Sequence, residues 1–559
     1  MESQTKQCQN CKKDFTIEPE DFAFYEKMKV PAPTWCPECR MQRRFAWRNE
    51  RVLYKRKCDM CGKSTVTIYS PDKPYKVYCP TCWWSDKWSA LDFGVDFNFE
   101  RPFFEQFYDL QLKVPRIALL TKNSINSDYT NHSNNNKNCY LSYSTFNSEN
   151  VMYSTTVMEP SHNICDCCYI QNGGGGQLIY QLLFSGRCYR CQYSILLRDC
   201  TDCFYCYDCH GCSDCFLSCN LRNKQYYFRN KQYTKEEYFE KIHEYNLESF
   251  KVRTDLFVLY LDLIKNIAVH RFAVIENSTN VSGDNIFNSK NTFRSFSVYE
   301  LENAKFVIES TDTKDVMDSG YQGLNSELVY ESHALIHSYN VLFTNLSYDN
   351  SEIQYCDSCH NNQNLFGCIG LKAQNYCILN KRYTKDEYEK IRLKIIGHMM
   401  ETKEYGEFFP PKLSPFGYNE TQGNIYMPLN EDQALRLGYK WEDCLPGTFG
   451  KETVKSEEIP DVISEIGDAI LKEILCCDEC KKNYNIVSQE LDFYRHEHIP
   501  VPRLCPDCRY RNRIKLLPPR KLWHRHCMKP GCTNEFETSY APDRPEIVYC
   551  EQCYQQEVA

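Results

Sequence analysis

The run Cys188-Tyr-Arg-Cys191-Gln-Tyr-Ser-Ile-Leu-Leu-Arg-Asp-Cys200-Thr-Asp-Cys203-Phe-Tyr-Cys206-Tyr-Asp-Cys209-His-Gly-Cys212-Ser-Asp-Cys215-Phe-Leu-Ser-Cys219 sets the reading of the whole chain. Cys188, Cys200 and Cys212 stand twelve residues apart, and so do Cys191, Cys203 and Cys215. A short fixed period marks a repeat fold. Working outward, apolar or cysteine positions keep nearly the same step: Tyr140, Met152, Ile164, then Ile179, Cys191, Cys203, Cys215 and Tyr226. The one long step contains Gly173–Gly176, which reads as a loop. A second series runs Phe306, Val316, Val329, Val341, Ile353, Leu365, Tyr376. Each position sits in a strand-like run such as Glu327-Leu-Val-Tyr330, with Asn, Ser, Asp and Gly filling the gaps as turns require. The expected body is a β-solenoid.

The two series are copies of each other. Asp199–Tyr238 aligns without a gap on Asp349–Tyr388, and Asn230-Lys-Gln-Tyr-Thr-Lys-Glu-Glu-Tyr238 matches Asn380-Lys-Arg-Tyr-Thr-Lys-Asp-Glu-Tyr388. Thr234 with Glu237, and Thr384 with Glu387, have the spacing of a capping box, so a short helix is expected to cover the end of each segment.

Four readings of the cysteine run stand open. Cysteine packs as a small hydrophobe, and Cys203 and Cys215 align with Ile353 and Leu365, which favours core stacking. Alternatively Cys206, Cys209, Cys212, Cys215 and Cys219 are additional metal ligands. Cys209, Cys212, Cys215 and Cys219 have ferredoxin-like spacing for an iron–sulfur cluster, although Asn220 follows where proline is usual. Cys206-Tyr-Asp-Cys209-His210 and Cys356-Asp-Ser-Cys359-His360 both have the spacing of covalent haem attachment.

Both ends of the chain carry one eight-cysteine module. The first places pairs at Cys8/Cys11, Cys36/Cys39, Cys58/Cys61 and Cys79/Cys82. The last places them at Cys477/Cys480, Cys505/Cys508, Cys527/Cys532 and Cys550/Cys553, with the same intervals of 24, 18 and 17 residues. Flanks agree as well: Phe24-Tyr25 answers Phe493-Tyr494, and Tyr69-Ser-Pro-Asp72 answers Tyr540-Ala-Pro-Asp543. Four thiolates around Zn²⁺ make a closed structural site, and a C-x2-C knuckle presents two of them from one turn. About four structural zinc ions are therefore expected, with metal binding supplying folding free energy to modules too small for a large core. Sequential pairing of knuckles is expected, and an interleaved cross-brace stays open. A knuckle followed by a helix that carries the second ligand pair predicts treble-clef or zinc-ribbon modules.

Composition bounds the rest. All 35 cysteines suit a reducing compartment, and the odd count speaks against a pure disulfide framework. No signal peptide is visible, and the most apolar run, Val258–Val269, is interrupted by Asp262, Lys265 and Asn266, so a cytoplasmic protein without membrane contact is expected. A net charge of −8 gives no support for whole-surface binding to nucleic acid. Basic charge is nevertheless concentrated in the modules. Arg40, Arg43, Arg44 and Arg48 beside Phe45 and Trp47, with Arg509, Arg511 and Arg513 beside Tyr510, are candidate contacts to RNA or DNA, against the alternatives of a solvated helix face and an acidic protein partner. No phosphate loop, nucleophile elbow or H-E-x-x-H occurs, so no enzyme is expected.

Cys36-Pro-Glu-Cys39-Arg through Arg48-Asn-Glu, Tyr69-Ser-Pro-Asp72, Trp84-Ser-Asp-Lys-Trp88 and Pro415-Phe-Gly-Tyr-Asn-Glu-Thr421 resemble a family of cysteine-rich zinc-binding proteins frequent in small-genome candidate-phylum bacteria. The resemblance covers most of the chain and implies zinc binding, with no activity attached.

The expected layout is mainly β. A double zinc module spans 1–92 and a helical connector 93–130, with an amphipathic helix at Glu100–Leu110. Solenoid segments occupy 131–233 and 276–383, with a helix and connector at 234–275 and at 384–448. A linker and helix at 449–475, the helix over Asp461–Leu475, lead to the last module at 476–559. The expected role is a non-enzymatic zinc scaffold touching nucleic acid, with a purely protein-binding scaffold, a solenoid enzyme or an iron–sulfur redox protein as alternatives.

Overall fold

The computed structural model describes residues 2–158, 160–170, 174–322 and 325–558. The chain is mainly β. Two stacks of parallel strands form its body, short in the first and including the long run Lys290–Gln322 in the second, each pairing with the segment a turn further on. In the first stack Val151 pairs with Ile164 and Ile164 with Ile179, then Cys203 with Cys215 and Cys215 with Tyr227. The second runs Val316, Val329, Val341, Ile353, Leu365, Cys377. Of the expected loop, Gly173 lies outside the described residues; Gly174 and Gly175 are irregular and Gly176 starts a strand.

The twelve-residue turn is built from four units of three. Asn135, Asn138, Leu141, Ser144, Asn147, Asn150, Tyr153 and Thr156 all have left-handed backbone, with φ between 46° and 56°. The residue after each one points inward: Asn136, Cys139, Ser142, Thr145, Ser148, Val151, Ser154 and Val157 are all buried. Left-handed backbone strains an L-residue, least for Asn and Asp, which is why Asn crowds these positions. Their amides stack one turn apart, as in Asn126 Nδ2 to Asn138 Oδ1 at 2.9 Å and Asn291 to Asn303 at 3.1 Å.

This geometry explains the cysteine run. Cys188 to Cys215 occupy successive inward positions and are buried together with Val151, Ile164, Ile179 and Leu182. Each thiol donates to carbonyls two residues back or nine ahead: Cys200 Sγ reaches Arg198 O at 3.3 Å and Cys209 O at 3.2 Å. Ser142 Oγ does the same, to Tyr140 O at 3.3 Å and Val151 O at 2.7 Å. A small side chain with one donor is what the inward position takes. Cys219 is the exception. It follows inward Ser218 and lies in another cluster, beside Phe216, Tyr238 and Tyr260.

The register corrects the ends of the expected series. Met152 pairs with Cys165 and not Ile164, and Tyr227 and Cys377 take the places assigned to Tyr226 and Tyr376. Tyr226, Tyr376 and Phe306 are themselves left-handed residues, with φ of 59°, 57° and 58°, so each turns its side chain away from the stack interior.

Each stack ends in a short antiparallel strand and a helix, Lys235–His243 or Lys385–Glu401. In both, the N-cap threonine accepts from the glutamate N–H at 3.3 Å, and the threonine N–H donates back to the glutamate at 2.9 Å. The connector helix is Phe103–Lys113. The helix expected over Asp461–Leu475 does not form. Only the short 3-10 turns Ile463–Glu465 and Asp468–Lys472 are present, separated by Gly467. Glycine weakens a helix interior, and the β-branched Val462, Ile463 and Ile466 lower helix propensity slightly further.

The modules cross over. The first lies along the second stack: Tyr25 meets Tyr330 (ring centroids 5.5 Å), Trp83 meets His360 (5.6 Å), and Lys372 Nζ donates to Trp83 O at 2.7 Å. The last lies along the first stack: Tyr494 meets Tyr180 (5.9 Å), and the Tyr554 hydroxyl donates to Asp208. Added strands complete the weave, Val77–Tyr78 pairing with Arg116–Ile117 and Val269–Arg271 with Ile547–Tyr549.

Candidate metal centres

Four cysteine tetrads gather their sulfurs within 4.8 Å: Cys8, Cys11, Cys36, Cys39; Cys58, Cys61, Cys79, Cys82; Cys477, Cys480, Cys505, Cys508; and Cys527, Cys532, Cys550, Cys553. The pairing is sequential in all four. Each is built the same way. The first two ligands sit at the tip of a hairpin, as between Gln4–Gln7 and Asp14–Ile17 or between Tyr54–Lys57 and Ser64–Thr67. The third precedes a helix and the fourth lies in its first turn, as Cys36 and Cys39 do at the helix Pro37–Phe45 and Cys505 and Cys508 at Pro506–Ile514. Lys12 and Lys481 (φ 63° and 62°) and Gly62 (φ 71°) follow the second ligand and turn the chain back. In the last tetrad the longer knuckle puts Gly531 (φ 82°) just before Cys532.

Distances fit a tetrahedral ion. Sulfurs of the second and third ligands lie 3.8, 4.0, 3.7 and 3.9 Å apart in the four tetrads. Zn–S bonds of about 2.3 Å give tetrahedron edges of about 3.8 Å, whereas a disulfide needs about 2.05 Å. All 35 cysteines are free thiols. A backbone N–H reaches the first ligand of each set, the third ligand's N–H donating to it at 3.2 to 3.3 Å, although at Cys527 burial still holds the thiol up. At Cys8, burial pushes the thiol up, but N–H groups of Cys36, Cys11 and Asn10 outweigh it and bring the pKa to about 7. Cys58 falls to about 7 in the same way. At Cys550 the Asn534 amide, 3.4 Å from Sγ, helps overcome burial and lowers the pKa to about 6. Thiolate is the form a metal binds.

The rung cysteines offer no comparable site. Among the described residues, Cys206, Cys209, Cys212, Cys215 and Cys219 join no group of three or more ligand atoms within 4.8 Å. In the two C-x-x-C-H motifs the cysteines are inside the stack and the histidines outside it. His360 is wedged against Trp83 and Trp84, and burial, with Lys122 and Lys372, pushes its pKa down to about 3. His210 Nε2 lies 3.4 Å from Asp208 Oδ1. The haem spacing and the first three cysteines of the ferredoxin spacing are by-products of a three-residue inward repeat, and Cys219 lies outside that repeat in another cluster.

The basic segments are placed differently from a solvated or nucleic-acid-facing surface. Arg40, Arg43, Arg44, Arg48, Arg509 and Arg513 are all at most 4% exposed, and only Arg511 stands in solvent. Arg40 meets Asp318 at 2.7 Å, Arg43 meets Glu331 and Glu407 at 2.9 Å, and Arg44 meets Glu331 at 3.3 Å. Arg48 is held by Glu50. The last module repeats the pattern, Arg509 and Arg513 closing on Asp166 at 2.9 and 2.8 Å, with Arg509 also 3.3 Å from Glu490. Buried guanidinium groups committed to carboxylates have nothing to offer a phosphate. Charge counting along the sequence finds the arginines and misses Asp166, Asp318 and Glu331, isolated acids in the stacks. The only signal for them is that arginines in the two modules sit at matching positions, which asks for matching partners.

No protein-family model matches the chain, and no curated protein matches it in sequence. No helix is long and apolar enough to cross a membrane among the described residues.

Proposed function

We propose that this chain is a non-enzymatic scaffold in which four structural zinc ions, held in treble-clef modules, clamp two β-solenoid segments to each other. The observation that carries this reading is the crossed docking. A helix that presents two ligands of a tetrad also presents the arginines that reach the opposite stack. Cys39 and Arg40 are neighbours in one such helix, Cys508 and Arg509 in the other. Metal that orders the helix therefore orders the contact between halves. Free thiols throughout support a reducing, cytoplasmic setting. The division at 92, 130, 233, 275, 383, 448 and 475 is retained as a description of chain segments, with the end modules as clamps rather than freely presented contact surfaces. The role proposed for zinc is tested by elemental analysis and chelation. About four zinc per chain, no visible absorbance, and loss of the native unfolding transition on chelation are expected. Iron with visible colour, or a metal-free protein of unchanged stability, would sink the reading.

A further inference from the structure

The two end modules meet across a cavity of about 760 Å³. Equivalent residues of the duplicated modules stand in its walls. Met41 and Tyr510 each lie five residues after the third ligand of their tetrad (Cys36, Cys505), and Arg51 and Arg520 each lie fifteen after it. Both arginines are stacked on rings, Arg51 3.8 Å from the Tyr510 centroid and Arg520 3.9 Å from that of Tyr426.

The cavity is electropositive once its pairs are resolved. Three wall acids pair with cations outside it, Glu50 with Arg48, Glu420 with Lys73 and Asp507 with Lys482, and Glu38 pairs with Lys521 in the wall itself, while the wall cation Arg520 pairs with Glu309. Burial raises the pKa of Asp284, whose carboxylate accepts from the Val274 and Asn285 N–H groups and the Ser539 hydroxyl. Arg511 and Lys515, exposed on the rim, form no ion pair among the described residues. Three wall atoms are out of solvent without a protein partner: Tyr510 Oη, Gln422 Oε1 and Arg520 Nη1. Trp523 is half-buried in the wall, touched by the Lys521 ammonium at 5.6 Å and by no other aromatic ring among the described residues.

We propose that this seam cavity binds a nucleotide, its base against Trp523 and its phosphate held by Arg511 and Lys515. An indole that no other aromatic ring covers, in one cavity wall with two cations that form no ion pair, is the arrangement that takes a base and its phosphate together. Two sources supply that chemistry, a free mononucleotide and the end of a single strand. The site goes beyond the scaffold role and does not depend on it.

The test uses the full zinc-loaded chain, with AMP, UMP and a ten-residue oligouridylate as probes, read by tryptophan fluorescence and calorimetry at low salt. Because the chain has seven tryptophans, the signal is taken as the difference from Trp523→Phe. Saturable quenching that is lost in Trp523→Phe and weakened about tenfold in Arg511→Ala/Lys515→Ala is expected. Equal affinity for mononucleotide and oligonucleotide identifies a free nucleotide as the ligand. Binding of the oligonucleotide alone identifies a strand end. Zinc content and unfolding midpoint of the variants should match the parent, which separates this result from any failure of the scaffold. No binding of any probe below about 1 mM, or binding unchanged in the double variant, overturns the proposal.

Discussion

Asp318 lies out of water between the guanidinium groups of Arg40 and Arg44, and Asp166 lies in the same way between Arg509 and Arg513. Taking away one partner of a buried pair leaves a charge with neither water nor counter-ion. Asp318→Ala and Asp166→Ala are each expected to cost about 3–5 kcal/mol in denaturant unfolding. Asp315→Ala, which breaks the more exposed pair with Lys27, should cost less than about 1 kcal/mol. Equal costs would remove the docking argument. At the tetrads, Cys36→Ser should lower the zinc content from about four to about three per chain, read by elemental analysis. Acid sensitivity has a source besides the zinc thiolates. Burial, reinforced by Arg48, holds His132 and His333 well below the usual histidine range. The unfolded chain takes up protons near pH 6.5 while the folded one does not, so stability falls as pH drops below 6.5 and keeps falling toward the folded pKa. Each histidine contributes up to about 1.4 kcal/mol per pH unit in that window. Urea midpoints at pH 7.5 and 5.5 should differ less in His333→Phe than in the parent.

Among the strands, the decisive feature is a left-handed residue at every third position. Asn147→Val puts a β-branched side chain into that backbone, whereas Asn147→Gly relieves it. The first should cost about 1–3 kcal/mol and the second much less, measured by thermal unfolding. Cys206→Ala with Cys209→Ala removes two donors from the interior and should lower stability while leaving zinc content untouched; a lost equivalent of metal would place zinc in the stack. The twelve-residue step was legible because Cys188, Cys200 and Cys212 repeat it openly. Its three-residue subunit was equally present, in the spacing from Cys200 to Cys215, but C-x-x-C reads first as a metal knuckle. The spacing alone cannot separate a knuckle from a stack, because both place thiols three residues apart. What separates them is the residue just before each inward position, here often Asn or Asp. The expectation of a helix over Asp461–Leu475 followed apolar periodicity and gave Gly467 too little weight.

At the level of the whole chain, both duplications were legible in the sequence, and so were all sixteen tetrad cysteines. The crossing was not. Arg40 and Asp318, or Arg509 and Asp166, are joined only by the folded chain, and no local pattern links them. Crossing predicts that the halves are interdependent. Cut after the exposed Asn246, neither 1–246 nor 247–559 should fold alone, because each carries a clamp whose seat is on the other. Co-expressed, they should co-purify with about four zinc. Independent folding of either fragment would show that the clamps are decoration.

The same crossing sets a timetable for synthesis. The helix Pro37–Phe45 leaves the ribosome early, but its seat, Asp318 and Glu331, is made nearly 300 residues later. At about 5–20 residues per second, that is a wait of about 15–60 s. During that interval Arg40, Arg43 and Arg44 lack the second-stack acids that pair with them in the finished fold, whereas Arg48 already has Glu50 two residues away. Until the second stack is made those three guanidinium groups have no carboxylate to close on, so the last step of folding is the arrival of Asp318 and Glu331 at a helix that has waited for them.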